Sequence, residues 1–458
     1  MDTSKTQKGK DMTFHEGHRY KFAKRNADDS VSWRCLQTHC CGRIKVLAGV
    51  IEIISEHNHA PDPEKIQAVK AVVGMRERAE HEFGRPRQII QNCTQGISLE
   101  AVALLPSYNA CQRTIERKRK RVQEPHATPR TVADIVIAQD QQITFRNSPF
   151  LLWDSGPLDP HRILMFGTNE NLTALQAHPH WFVDGTFKVA PELFFQLFTI
   201  HGLVDNRAMP LIYVLLTDKT EASYLRVFEK LKNLQPGLNP VSVMSDFEKA
   251  SQNAIERAFP ATRIIGCLFH LGQNLYRKVK VNHDDEYKND DNFRSHVKML
   301  LALSFVPVVD VATVFDELAL ACPPGMGDVI AYWEDNYIGR MRVNVRVNPR
   351  FPIPIWNVHD RVADGLPRTN NSVEGWHRAF QQCVDCHHPS IRKIIDHFRK
   401  EQDHVEIDLQ RYRDGIQHPV ATKTKYIQLN RRFEAILPMY GNIQNLDYLR
   451  RIAHNLAI

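Results

Sequence analysis

The chain contains no stretch of some 18 uninterrupted apolar residues, so it offers no membrane-spanning helix. Its start, MDTSKTQKGKDM, has no apolar core of the kind a secretory signal carries, and an intracellular protein is expected. Internal repeats, low-complexity tracts and sustained heptads are absent, which excludes solenoids and long coiled coils. Nine cysteines in 458 residues do not make a disulfide framework in such a setting, so their spacing matters more than their number. Negative charge is in deficit, with 59 Lys+Arg against 52 Asp+Glu and a net of +7. That deficit is local: Met1 to Arg130 holds 23 Lys/Arg against 15 Asp/Glu, and the rest holds 36 against 37. A basic front end on a neutral body suggests a nucleic-acid partner.

What is present fits two or three globular domains, with 43% hydrophobic and 24% charged residues. Residues 20–60 alternate over Tyr20–Lys24, Val31–Cys35, Gly42–Leu47 and Val50–Ser55, which predicts a small antiparallel sheet of three or four strands. About forty residues bury too little surface to be stable without a staple. Cys35 and Cys40 form a C-x4-C pair, and His57 and His59 an H-x-H pair. Two thiolates and two imidazoles make a closed tetrahedral Zn²⁺ site of the structural kind. Cys41 competes with Cys40, and His39 with the histidines.

This stretch resembles the FLYWCH zinc finger. The resemblance rests on Phe14, Tyr20 and Trp33, on W-R-C at 33–35, on C-x-x-R from Cys40 to Arg43, and on HNHAP at 57–61. It favours Cys40 over Cys41 and implies a DNA- or protein-binding module. Arg34, Arg43 and Lys45 are its candidate phosphate contacts.

From residue 62 to about 130 the pattern turns helical. EKIQAVKAVVGMRERAEHE has helical spacing, a pair of shorter helices is suggested around Gly96, and NACQRTIERKRKRVQ is a strongly basic helix, so the stretch closes on three short helices ending in a basic one. Such a group resembles a helix-turn-helix reader. Arg113, Arg117, Lys118, Arg119, Lys120 and Arg121 are candidates for contact with double-stranded DNA, and the same run can serve nuclear import. EPHATPRT marks a boundary.

From Phe150 the pattern is α/β. FLLWDSG and RILMFGT read as paired strands, followed by the helix TNENLTALQAH. WFVDGTFKV, FFQLFTIHGLV and AMPLIYVLLT are three further strands, EASYLRVFEKLKNL is a crossover helix, and PVSVMSDFEKA is a fourth strand ending in an acid. SQNAIERAFP then reads as helix and TRIIGCLFH as strand, giving a mixed sheet with helices packed against it. Asp184 sits mid-run in the first of the three strands, where a lone charge is costly unless paired. A crossover returning the fourth strand beside the first would bring Asp246 close to it.

That order is expected of a ribonuclease-H-like fold. The stretch from about Phe150 to Gln402 resembles the transposase domain of Mutator-like elements (MULE), through FVDGTFKV, VMSDFEKA, GCLFHLGQN and RTNNSVEGWHRAF. The resemblance implies an acidic triad of Asp184, Asp246 and Glu374 holding Mg²⁺ or Mn²⁺. It also implies a core-associated C-x-x-H pair, Cys267 and His270. Glu248 competes with Asp246, and Asn370 and Asn371 are candidates to touch the ligands or the DNA.

Three carboxylates suit two-metal phosphoryl transfer, and magnesium suits oxygen ligands. The implied activity is hydrolysis at an element's end, then strand transfer by the freed 3′ hydroxyl, with a homo-oligomer assembled on DNA in the nucleus. The alternative is a domesticated, catalytically silent DNA-binding regulator of transcription or chromatin that uses the finger. CVDCHH, holding Cys383, Cys386 and His387, matches a haem-attachment spacing but reads as a helix–helix turn.

Four segments are therefore expected: a finger over 1–61, a basic helical region over 62–130, a transposase domain over 150–402 with a helical insertion at about 278–340, and a helical tail over 403–458.

Overall fold

In the computed structural model the residues described are 3–5, 11–82, 84–123, 129–343, 345–416 and 424–456. They divide into two units, Met1–Thr128 and Pro129–Ile458. The first begins as a meander of six strands rather than three or four. These are β1 (Thr3–Lys5), β2 (Asp11–His15), β3 (His18–Arg25), β4 (Val31–Cys35), β5 (Arg43–Leu47) and β6 (Val50–Ser55), paired antiparallel in sequence order. The additional strands arise because residues before Tyr20 also pair, Thr13 with Tyr20 and Met12 with Lys21. Period-two alternation buries Tyr20, Trp33 and Ile44 as the small core, while Lys21, Arg34 and Arg43 face solvent.

Four helices follow: α1 (Pro63–His81), α2 (Pro86–Thr94), α3 (Leu99–Ala103) and α4 (Tyr108–Gln123). Asp62 caps α1 by accepting from the Lys65 amide, and a proline occupies the first turn. Met75, Ala79, Ile89, Cys111 and Ile115 join α1, α2 and α4 in one apolar cluster. These are the four helical segments read from the sequence, with α2 and α3 on either side of Gly96.

The second unit is built on β7 (Leu151–Asp154), β8 (Leu164–Phe166), α5 (Asn169–Ala177), β9 (His180–Thr186), β10 (Gln196–Val204), β11 (Arg207–Leu216), α6 (Glu221–Leu234), β12 (Ser242–Ser245), α7 (Lys249–Ala258) and β13 (Arg263–Gly266). The sheet order is β13-β12-β9-β10-β11-β8-β7. Strands β9, β10 and β11 run antiparallel, whereas β12 is parallel to both β9 and β13. The crossover through α6 therefore returns β12 beside β9. Strands β10 and β11 are buried along nearly their whole length, as expected of a sheet covered on both faces.

After β13 come α8 (Leu268–Asn282), α9 (Asp284–Asn289), α10 (Asp291–Ala302), α11 (Val311–Ala321), α12 (Gly327–Trp333), α13 (Ile353–Trp356), α14 (His359–Ala363), α15 (Asn371–Val384), α16 (Ile391–Arg413), α17 (Thr424–Ile436) and α18 (Asn445–His454). Three sequence expectations change here. TRIIGCLFH is not all strand: β13 ends at Gly266 and α8 begins at Leu268, so Cys267 stands at the helix N-cap and His270 in the first turn. The boundary expected at 402–403 falls inside α16, which stays helical because its apolar stripe continues on both sides, with Phe398 and Val405 both buried. The C-terminal helices pack into the helical insertion, where Phe433, Tyr448 and Ile452 share one core with Leu300, Phe305 and Trp333. CVDCHH ends α15 with Cys383 and Val384 and makes the turn toward α16 with its remaining residues, as its context suggested.

Candidate functional site

In the finger, Cys35 ends β4, Cys40 lies in the following loop, and His57 and His59 follow β6. The ligand atoms of these four side chains lie within 4.8 Å of one another, the one such group of three or more among the described residues. Cys35 Sγ is 3.3 Å from His59 Nε2, and Cys40 Sγ is 3.3 Å from His57 Nδ1. Zinc bonds of about 2.3 Å to sulfur and about 2.0 Å to nitrogen at a tetrahedral angle place S and N roughly 3.5 Å apart, so the donors fit a zinc ion.

The outer shell selects the same atoms. His57 Nε2 meets Tyr20 OH at 2.7 Å and His59 Nδ1 meets the Ala60 carbonyl at 2.9 Å, which leaves the other ring nitrogens for the metal. Backbone amides of Gln37 and Gly42 donate to the two sulfurs, each at 3.3 Å. Burial lowers the His57 pKa and so favours the neutral ligand form. A Cβ on Gly42 would come within 2.5 Å of the His57 ring, so the position demands glycine. Cys41 is exposed and turned to the Glu56 carbonyl, outside the cluster, as is His39.

The acids of the second unit are placed by strand register. Met244 pairs with Phe182 in the parallel β9–β12 ladder. Asp184 and Asp246 each stand two residues further on, so both acids fall at the same end and on the same side of the sheet. Glu374 arrives on α15, whose start is anchored by Val373 against Phe182, Met244, Ile265 and Cys267.

These elements converge on His270. Its Nδ1 lies 2.6 Å from Asp246 Oδ1 and its Nε2 3.5 Å from Glu374 Oε1. The Asp246 contact is one of charge rather than an aligned hydrogen bond, for His270 Nδ1 has no hydrogen-bond partner. Burial opposes protonation of His270, yet Asp246 and Cys267 push it up to about 10. Burial and then the charge of Asp246 push Asp184 up to about 7. Burial likewise raises Glu374, whose Oε1 is buried with no hydrogen-bond partner. Two carboxylates are thus held reluctant to ionise near a third, one with an orphaned oxygen, but the three acids do not bring their oxygens within 4.8 Å of one another as the ligand atoms of the finger are.

Sequence reasoning named Asn370 as a candidate to touch the ligands but missed His377. Asn370, fully buried before α15, accepts from Cys267 Sγ at 2.9 Å, donates to Asp246 Oδ1 at 3.4 Å, and takes the Glu374 amide on its carbonyl. The cysteine of C-x-x-H thereby ties the turn before α15 to the end of β12. His377 lies 3.3 Å from Asp184 Oδ2, and its place three residues after Glu374 was the available signal. Glu248, the rival of Asp246, instead accepts from Tyr224 OH at 3.0 Å.

The basic candidates separate by partner. Lys21 pairs with Arg34 across β3–β4, and Arg34 with Arg43 across β4–β5, a row of three exposed cations directly opposite one another. Such a row repels itself without an anion. Lys45, beside it, is held by Asp28 at 2.8 Å. On α4, Arg113 and Arg117 are exposed. Arg119 is not: it donates to the Glu82 and Gly84 carbonyls at 2.7 and 2.6 Å, closing the end of α1, while Lys118 pairs with Glu80. The side chains of Lys120 and Arg121 lie outside the described residues.

Residues 180–274 match the MULE transposase domain family and residues 3–59 the FLYWCH zinc finger domain family, in the order the motifs implied. The first match spans Asp184, Asp246, Cys267 and His270; Glu374 lies beyond it. No curated protein matches the chain. A solved structure, the Drosophila P element transposase strand transfer complex, aligns at 12% identity over 85% of this chain and 94% of that one, with a TM-score of 0.23. Among the described residues no helix is long and apolar enough to cross a membrane.

Proposed function

We propose that the chain is a DNA transposase of Mutator-like type, in which Asp184, Asp246 and Glu374 hold Mg²⁺ or Mn²⁺ and the first unit binds element-end DNA. The observation that carries this reading is the meeting of β9, β12 and α15 at one end of the sheet, where His270 touches two of the acids and Asp246 raises the pKa of the third. The strand order agrees with a ribonuclease-H-like core, and we read it so. When bound, two divalent cations supply activation of the attacking oxygen and relief of charge on the leaving oxygen.

The protein's own share is positional. β9 and β12 fix two carboxylates by register, and Asn370 and Cys267 fix the third by locking the start of α15. His270 lies against both Asp246 and Glu374, and would give up those contacts where the acids held a cation. In the first unit, the Lys21–Arg34–Arg43 row and the exposed Arg113 and Arg117 are the phosphate contacts we assign, and the α4 run serves nuclear import. Assembly on DNA as a homo-oligomer belongs to the same proposal.

A second reading, a DNA-binding regulator that keeps the core as a scaffold, is favoured by one observation: His270 stands as a shared cationic partner 2.6 Å from Asp246 and 3.5 Å from Glu374. Labelled candidate ends incubated with Mg²⁺ or Mn²⁺ decide between them. The transposase reading expects nicking by the wild type and none by Asp184→Asn, with DNA binding equal in both. Binding without nicking by the wild type leaves the regulator, and nicking by Asp184→Asn refutes the triad.

A further inference from the structure

Asp184 has a partner that the triad does not account for. Gly185 donates its amide to Asp184 Oδ1 at 2.9 Å, and His377 Nε2 stands 3.3 Å from Asp184 Oδ2. The same Nε2 lies 3.3 Å from Thr199 Oγ1, which is itself 3.0 Å from His201 Nε2 and donates to the Asp184 carbonyl at 3.3 Å. Thr199 faces Asp184 directly across the β9–β10 ladder. His201 and Thr199 are fully buried and His377 nearly so.

The tautomers follow from which partner takes the single Thr199 hydrogen. With that hydrogen given to the Asp184 carbonyl, both imidazoles donate from Nε2 toward Thr199. Nδ1 is then bare on both rings, in accord with neither Nδ1 having a hydrogen-bond partner. His377 Nε2 thus stands 3.3 Å from both Thr199 Oγ1 and Asp184 Oδ2, the second a close polar contact rather than an aligned hydrogen bond. The same helical turn that delivers Glu374 brings His377, three residues later, under Asp184.

We propose that His377 is a positioning residue for Asp184. As a neutral donor, held by Thr199 and His201, it orients the first carboxylate for a divalent cation. This rests on the metal-site reading above. With Gly185 against one oxygen and His377 against the other, the carboxylate cannot rotate freely. The helix of the third acid thus sets the geometry of the first. Outer partners of metal ligands are generally worth about 10–100-fold in metal affinity.

The test is Mn²⁺ binding by the zinc-loaded full chain without DNA, read from the electron paramagnetic resonance of free Mn²⁺, with Asp184→Asn as the blank. His377→Leu should weaken Mn²⁺ binding about 10–100-fold at unchanged melting temperature, and His377→Gln, whose amide keeps a donor near the Nε2 position, should recover most of it. Thr199→Val leaves the Asp184 side chain untouched and should weaken binding in the same direction by less. It also serves where His377→Leu does not fold. Wild-type affinity in folded His377→Leu overturns the proposal, as does equal loss in His377→Leu and His377→Gln, which would mark a packing role. A wild type that binds no more Mn²⁺ than Asp184→Asn instead removes the metal-site reading beneath it.

Discussion

Replacing Asp184 by asparagine removes a buried charge and keeps its shape, so the structure makes a quantitative demand of that variant. In the native chain Asp184 is pushed from 3.8 up to about 7. Between those values the native state holds a proton that the unfolded chain has released, so rising pH withdraws stability from the wild type. At 1.36 kcal/mol per pKa unit the loss is about 1.5 kcal/mol at pH 5 and about 4 kcal/mol at pH 8, a change of about 2.5 kcal/mol across the interval. The amide can accept from Gly185 but turns its NH2 toward His377, and one mismatched contact costs about 1–3 kcal/mol, but that penalty does not change with pH. The stability gap between variant and wild type should therefore shift by about 2.5 kcal/mol in favour of Asp184→Asn from pH 5 to pH 8. Urea unfolding of zinc-loaded protein, free of other divalent cations and followed by tryptophan fluorescence, measures it, since five of the six tryptophans lie in the second unit. A gap that does not move with pH, or that moves the other way, refutes the account of Asp184 as a strained carboxylate. Mn²⁺ at about 100 times its dissociation constant should then add about 2.7 kcal/mol to the wild type at pH 8 and nothing to the variant.

Removing zinc, by chelation or by Cys35→Ser, should unfold the six-stranded sheet, because three buried side chains are its apolar core and structural zinc contributes about 10–16 kcal/mol. Far-UV circular dichroism and colorimetric zinc release check this, and a sheet signal that survives chelation contradicts it. Gly42→Ala should lower zinc retention, as its Cβ would strike the His57 ring. The triple substitution Lys21→Ala, Arg34→Ala and Arg43→Ala should reduce the log–log salt slope of DNA binding by about 3, at about 0.9 per phosphate contact. Arg119→Ala, by contrast, should leave that slope unchanged and destabilise the helical part of the first unit by about 1–3 kcal/mol, since two carbonyls lose their donor.

The chain's own order of residues determined the elements and their chemistry. Period-two alternation marked the finger strands, the apolar runs around Asp184 and Asp246 marked a buried sheet, and the C-x4-C and H-x-H spacings named four ligands that meet in space. These signals are local, because side-chain direction repeats every two residues in a strand whatever the chain does elsewhere. Other features were decided only by tertiary structure. Nothing around Arg119 distinguishes it from Arg117, yet one closes the end of α1 and the other faces solvent, because the partners are carbonyls 35 and 37 residues away. The burial of Asn370 against Cys267 and the reach of His377 to Asp184 likewise depend on where α15 lands on the sheet. Residues 103 and more positions apart in sequence become hydrogen-bond partners there. Propensity and periodicity describe a segment's own faces; which distant group lies opposite a face is set by how the helices close over the sheet.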